Sequence, residues 1–111
     1  MDNIKNDFYY VSKMLKDIEF IINNTKDLTL ELLRENEILT DSMMFRLIQI
    51  SENSNKITES FKMRYKEIPW KAIKGLRNRI VHEYGDVDLT IVFDTIKNDI
   101  PILLQELDGL Q

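Results

Sequence analysis

The chain has 111 residues, 43% of them hydrophobic and 31% charged, with a net charge of -4 and no cysteine. That balance fits one compact domain over residues 1–111 and excludes a disulfide framework, a thiolate zinc site and any apolar run near the roughly 18 residues of a membrane span. The opening MDNIKNDFYY lacks the basic and then apolar character of a signal peptide, so a cytoplasmic protein is expected.

In chain order, Ile4, Phe8, Val11, Leu15, Ile18 and Ile22 recur at alternating steps of four and three, which predicts an amphipathic helix ending at Asn23, Asn24 and Thr25. Thr29 is placed to cap a short second helix reaching Leu33. A longer helix over residues 38–54 follows, with Met44, Leu47, Ile48 and Ser51 on one side and the small residues Ser51 and Ser54 permitting a close neighbour. Ile57 to Tyr65 reads as another helical piece, separate from the last or continuous with it. Pro69 suits the first turn of a helix running through His82, with Gly85 as its stop. Asp88 can cap the last helix, lined by Leu89, Val92, Phe93, Ile96, Ile100, Leu103 and Leu107 and kinked at Pro101. With no alternating strand pattern, the expected class is all-α: a four- to five-helix up-and-down bundle with a kinked C-terminal helix.

The charge is unevenly placed. Residues 1–61 carry seven bases against eleven acids, residues 62–79 carry seven bases against one, and residues 80–111 carry one base against seven. Such a local basic block attracts a phosphate backbone even on an acidic protein, because screening makes near charges dominate. It includes Lys74, Arg77 and Arg79 and adjoins the single histidine, His82. On a wheel with Ile73 at zero and about 100° per residue, Trp70, Leu76, Ile80 and Tyr84 lie within about 60°. Asn78 and His82 fall near 140° and 180°, with Gly75 and Lys71, away from the core. Arg77 falls near 40°, towards the apolar side, and stands about 7.5 Å along the axis from His82. Either the helix unwinds before His82, or residues of two subunits complete one site. Gly75 would let a second backbone approach, and a core this small favours a site at a surface or between subunits, hence a dimer.

The chemistry available is limited. One histidine and no cysteine argue against zinc. Glu83, Asp86 and Asp88 could bind magnesium, but turn and cap roles explain two of them, so no metal and no cofactor is expected. A histidine that exchanges protons near neutral pH and an arginine that holds a phosphate suffice for metal-independent RNA cleavage through the neighbouring 2′-hydroxyl. A non-catalytic subunit that presents substrate or nucleotide to a separate nucleotidyltransferase would use a similar basic cleft.

Residues 68–107, IPWKAIKGLRNRIVHEYGDVDLTIVFDTIKNDIPILLQEL, resemble the HepT family of HEPN-domain toxins. The Arg-x4–6-His signature of that family appears as Arg77 to His82, with Asn78 within it and the His-x-Tyr extension as His82, Glu83 and Tyr84. Ser51 stands where relatives commonly carry glycine. The resemblance implies a HEPN-type helical homodimer with its arginines and histidines in a shared cleft. It also implies ribonuclease toxicity in a type VII-like toxin-antitoxin pair, with Arg77, Asn78 and His82 as the catalytic set and Lys74 and Arg79 beside them to hold RNA. The implied partner is a minimal nucleotidyltransferase antitoxin that attaches AMP to the motif tyrosine, here Tyr84.

Overall fold

The computed structural model describes residues 3–81 and 87–110. Helix α1 (Asn3–Asn24) is the longest element and buries Val11, Met14, Leu15, Ile18 and Ile21. Its buried face is wider than the predicted stripe, because α1 packs against both α3 (Glu37–Asn55) and the C-terminal α8 (Ile100–Asp108). Met14 and Ile21 are thereby withdrawn from solvent, while Ile22 is half-buried. The helix closes where Thr25 Oγ1 donates to the Ile21 carbonyl at 2.7 Å and Lys97 Nζ donates to the Thr25 carbonyl at 2.7 Å. Its terminal carbonyls, unpaired within the helix, are satisfied in this way.

Thr29 caps α2 (Leu30–Glu35) as expected, its hydroxyl accepting from the Leu32 amide at 3.1 Å. Asn36 ends α2 and caps α3, its side chain accepting from the Leu39 amide at 3.0 Å. On α3 the fully buried positions are Met43, Leu47 and Ile50, whereas Met44 and Ile48 are half-buried, so the face against α1 is turned slightly from the predicted one. Ser51 and Ser54 are buried, in keeping with a close neighbour; among the described residues Ser54 Oγ has no hydrogen-bond partner.

A separate helix, α4 (Glu59–Arg64), settles the question of continuity with α3. The carboxylate of Asp7 on α1, 1% exposed, accepts from the Thr58 amide at 2.8 Å and from its hydroxyl at 2.7 Å. That pair holds Thr58 in an extended conformation, from which its hydroxyl caps α4 through the Phe61 amide at 3.3 Å. Phe61 then meets Phe8 edge-on at 5.3 Å and Tyr65 at 4.7 Å, tying α4 back to α1.

The remaining helices are α5 (Trp70–Lys74), α6 (Leu76–Ile80), α7 (Leu89–Asp94), a π-helical stretch Thr95–Asp99, and α8. The kink expected at Pro101 takes the form of this π-helical stretch immediately before it. Pro101 has no amide to donate, and the widened turn lets the Ile100 amide reach back five residues to the Thr95 carbonyl. Among the described residues the only β pairing is an isolated antiparallel bridge, Val81 to Val87, so the all-α class holds, with the predicted helices divided into shorter segments. No described helix is long and apolar enough to cross a membrane.

The Asp7 contact implies a measurable cost when it is removed. Asp7→Ala leaves the Thr58 amide and hydroxyl without their charged acceptor and is expected to lower unfolding free energy by about 2 kcal/mol. The exposed Asp27→Ala should change it by less than about 0.5 kcal/mol, both read by urea titration.

Candidate active site

The motif arginine lies on α6, and the packing beneath α5 and α6 decides what α6 presents. Trp70 opens α5, buried, with its indole Nε1 donating to the Tyr65 carbonyl at 3.0 Å and its ring edge-on to Phe61 at 6.3 Å. Ile73, Leu76 and Ile80 are buried along the inner side, facing α3 and α7. Between the two helices stands Gly75, with φ -83° and ψ 0°, in the bridge region and outside the helical well. The Lys74 carbonyl, left without a donor where α5 ends, accepts instead from Ser51 Oγ on α3 at 3.1 Å.

This interruption corrects the reading of a single helix running through residue 82. Lys74, Arg77, Asn78 and Arg79 are all exposed. Arg77 is therefore exposed although an uninterrupted wheel turns it towards the apolar side, while Leu76 and Ile80 on the same helix are buried as that wheel predicts. Gly75 itself is half-buried and serves as the break point of its own chain. Among the described residues, the side chains of Lys74, Arg77 and Asn78 make no ion pair or hydrogen bond. An unpaired guanidinium keeps its forked donors available for phosphate oxygens, and the adjacent amide adds further donors.

Helix α6 ends at Ile80, and Val81 is extended, with φ -106° and ψ 117°. The Asp88 amide donates to the Ile80 carbonyl at 3.0 Å, beside the Val81 to Val87 bridge. Asp88 then caps α7 as expected, Oδ1 accepting from the amides of Thr90 at 3.0 Å and Ile91 at 3.3 Å. The two flanks of the His-x-Tyr segment are thus pinned together. His82, Glu83, Tyr84, Gly85 and Asp86, with the roles expected for His82 in catalysis, Tyr84 in modification and Gly85 as a helix stop, lie outside the described residues. The helix thus ends before residue 82, as one of the two alternatives expected.

The basic block divides by environment. Lys62 Nζ stands 5.9 Å from the Trp70 ring centroid and 4.0 Å from Glu59, and Arg64 covers the Tyr65 ring at 5.6 Å. Arg79 reaches across to Asp99 of the π-helical stretch at 3.4 Å, both side chains about half exposed. That pair borders a mostly apolar cleft of about 220 Å³ between α5, α6 and α8, lined by Ile73, Leu76, Ile100 and Leu103 among others. A pair so exposed is worth well under about 1 kcal/mol and yields readily to another anion. Lys71, Lys74 and Arg77 are the unpaired exposed cations nearest the motif among the described residues. No group of three or more described acids and histidines is placed to hold a metal ion, and Asp88 is engaged as a helix cap. What sequence reading missed is Ser51: its small size was legible, its hydrogen bond to the site segment was not.

Residues 4–110 match the family model described as "Ribonuclease HepT-like". A protein of Caldanaerobacter subterraneus subsp. tengcongensis, provisionally named an RNase, is 31% identical over 94 residues, covering 85% of this chain and 84% of its own. The "Probable ribonuclease HepT" of Thermococcus cleftensis is 31% identical over 101 residues, covering 87% of this chain and 92% of its own. No solved structure matches the chain significantly. A family match over nearly the whole length, carried on a helical fold with Arg77 and Asn78 exposed ahead of the His-x-Tyr segment, places the chain in the HepT-like ribonuclease family.

Proposed function

We propose that this protein is the toxin of a type VII-like toxin-antitoxin pair, a metal-independent endoribonuclease working in the cytoplasm. The observation that carries the reading is the exposed Arg77 and Asn78 on α6, without side-chain partners among the described residues, with the helix ending before residue 82, in a chain of a ribonuclease family. In the proposed reaction His82 takes the proton of a ribose 2′-hydroxyl, and the resulting oxygen attacks the adjacent phosphorus. The bond to the 5′-oxygen breaks and that oxygen takes a proton from solvent water, leaving a 2′,3′-cyclic phosphate and a 5′-hydroxyl end. Arg77 balances the charge that grows on the non-bridging oxygens, where preorganised donors act most strongly. Asn78 orients the phosphate. Lys74 and Arg79 hold the flanking backbone, Arg79 exchanging its exposed pair with Asp99 for a phosphate.

This mechanism requires that Arg77→Ala and His82→Ala each lower the cleavage rate by about 100-fold or more while the protein stays folded. A substrate with a single 2′-deoxy position at the cut site should be inert there, and EDTA should leave the rate unchanged. Cleavage lost on chelation and restored by magnesium would assign the chemistry to a metal. Full activity of both variants would instead favour a subunit that merely presents a substrate to a separate nucleotidyltransferase.

We further propose that two copies form one cleft, since a core this small leaves little room for an enclosed site within one chain. Sedimentation velocity at micromolar concentration should show a dimer. A monomer that persists at the highest concentrations would rule out a shared cleft.

The proposed off-switch is AMP on Tyr84, added by a cognate minimal nucleotidyltransferase: the tyrosine oxygen attacks the α-phosphorus of ATP and pyrophosphate leaves. The added phosphate places negative charge beside His82 and repels RNA. Co-expression with that partner should add steps of about 329 Da, the AMP increment, at Tyr84. Tyr84→Phe should keep cutting RNA and escape neutralisation. Neutralisation of Tyr84→Phe with no added mass would mean the partner acts by binding alone.

A further inference from the structure

Arg77 is exposed although an uninterrupted helix from Trp70 would place it inside the arc occupied by the buried Trp70, Ile73 and Ile80. Between Ile73 and Arg77 stands Gly75, whose ψ of 0° ends α5 and after which the helix restarts as α6. In a continuous helix the Asn78 amide would donate to the Lys74 carbonyl. Here that carbonyl accepts the hydroxyl of Ser51, which is 3% exposed on the facing helix α3. In a continuous helix the Asn78 amide would have to share the Lys74 oxygen, and its two lone pairs, with Ser51.

We propose that Ser51 is a positioning residue for the ribonuclease site: by capturing the Lys74 carbonyl it holds the interruption at Gly75 and so sets the angle at which Arg77 and Asn78 face RNA. The role rests on the nuclease reading for its effect on catalysis, but not for its effect on the backbone. Ser51 touches neither RNA nor the reacting atoms. Its influence passes through the backbone of α5 into the orientation of α6.

Two substitutions on different helices favour the continuous helix. Ser51→Ala removes the hydroxyl donor and leaves a carbonyl whose natural replacement is the Asn78 amide. Gly75→Ala favours helical continuity, and there is room for it, since an added Cβ would lie 3.5 Å from the Lys71 carbonyl oxygen and 3.9 Å from that of Ala72, ordinary contact distances. In both variants the Asn78 amide should exchange with solvent about tenfold more slowly than in the parent, measured by NMR on the full chain. Both should lose about tenfold in kcat with KM changed by less than about twofold. Gly75→Ala should do so with a melting temperature equal to or above the parent's, which separates misorientation from simple loss of stability. Unchanged exchange at Asn78 in either folded variant, or parental kcat in both, overturns the proposal. Because the exchange measurement needs no RNA, a parent protein that cuts none defeats the nuclease reading while Asn78 exchange still decides whether Ser51 holds the interruption.

Discussion

The apolar seam in which Val11, Met14, Ile18 and Ile21 of α1 meet Met43, Leu47 and Ile50 of α3 is wholly withdrawn from solvent, and the other elements take their places from it. Each such side chain contributes about 1.5–3 kcal/mol on burial, so the seam as a whole outweighs every exposed ion pair on the molecule. Helix α8 closes over the other flank of α1 with Leu103 and Leu107, and α5 and α6 lie along α3. The motif segment is thus laid on the rigid side of the molecule, against a helix that is itself pinned to α1.

Buried polar groups do the directing that apolar packing leaves open. Asp7 takes Thr58 and separates α4 from α3, and Lys97 takes the Thr25 and Lys26 carbonyls just past the end of α1 and ties down the π-helical stretch. Asp17 pairs with Arg46 at 2.9 Å, and the same guanidinium covers the Phe20 ring at 3.9 Å, fixing α1 against α3. Ser51 takes Lys74 and marks the junction of α5 and α6. A buried polar atom without a partner is costly, so each of these bonds selects one chain path among several that would bury similar apolar area.

Departures from regular helix gather around the motif. The break at Gly75, the extended Val81 with its bridge to Val87, and the π-helical stretch that brings Asp99 to Arg79 all lie on segments bordering residues 76–81. The first separates α5 from the α6 that carries Arg77 and Asn78, the second ends α6 ahead of His82, and the third links the basic segment to the acidic C-terminal one. Because that link is exposed and weak, the basic face of α6 is left largely uncompensated among the described residues. Net acidity of the whole chain is therefore a poor guide to what this face attracts.

Much of the architecture was legible from residue types alone. The four-and-three spacing from Phe8 to Ile18, the caps Thr29 and Asp88, and the breaker Pro101 have local causes, and the helices stand where they predict. The motif Arg77 to His82 was legible as well, through residue identity and spacing. What escaped was the azimuth. An uninterrupted wheel turns Arg77 towards the apolar side, and only the folded chain shows it exposed, with the helix interrupted at Gly75 and the Lys74 carbonyl held by a hydroxyl 23 positions away on α3. Periodicity records the preferences of neighbours along the chain. The contact of Ser51 with the Lys74 carbonyl exists only once α3 lies against α5, so tertiary structure alone decided it.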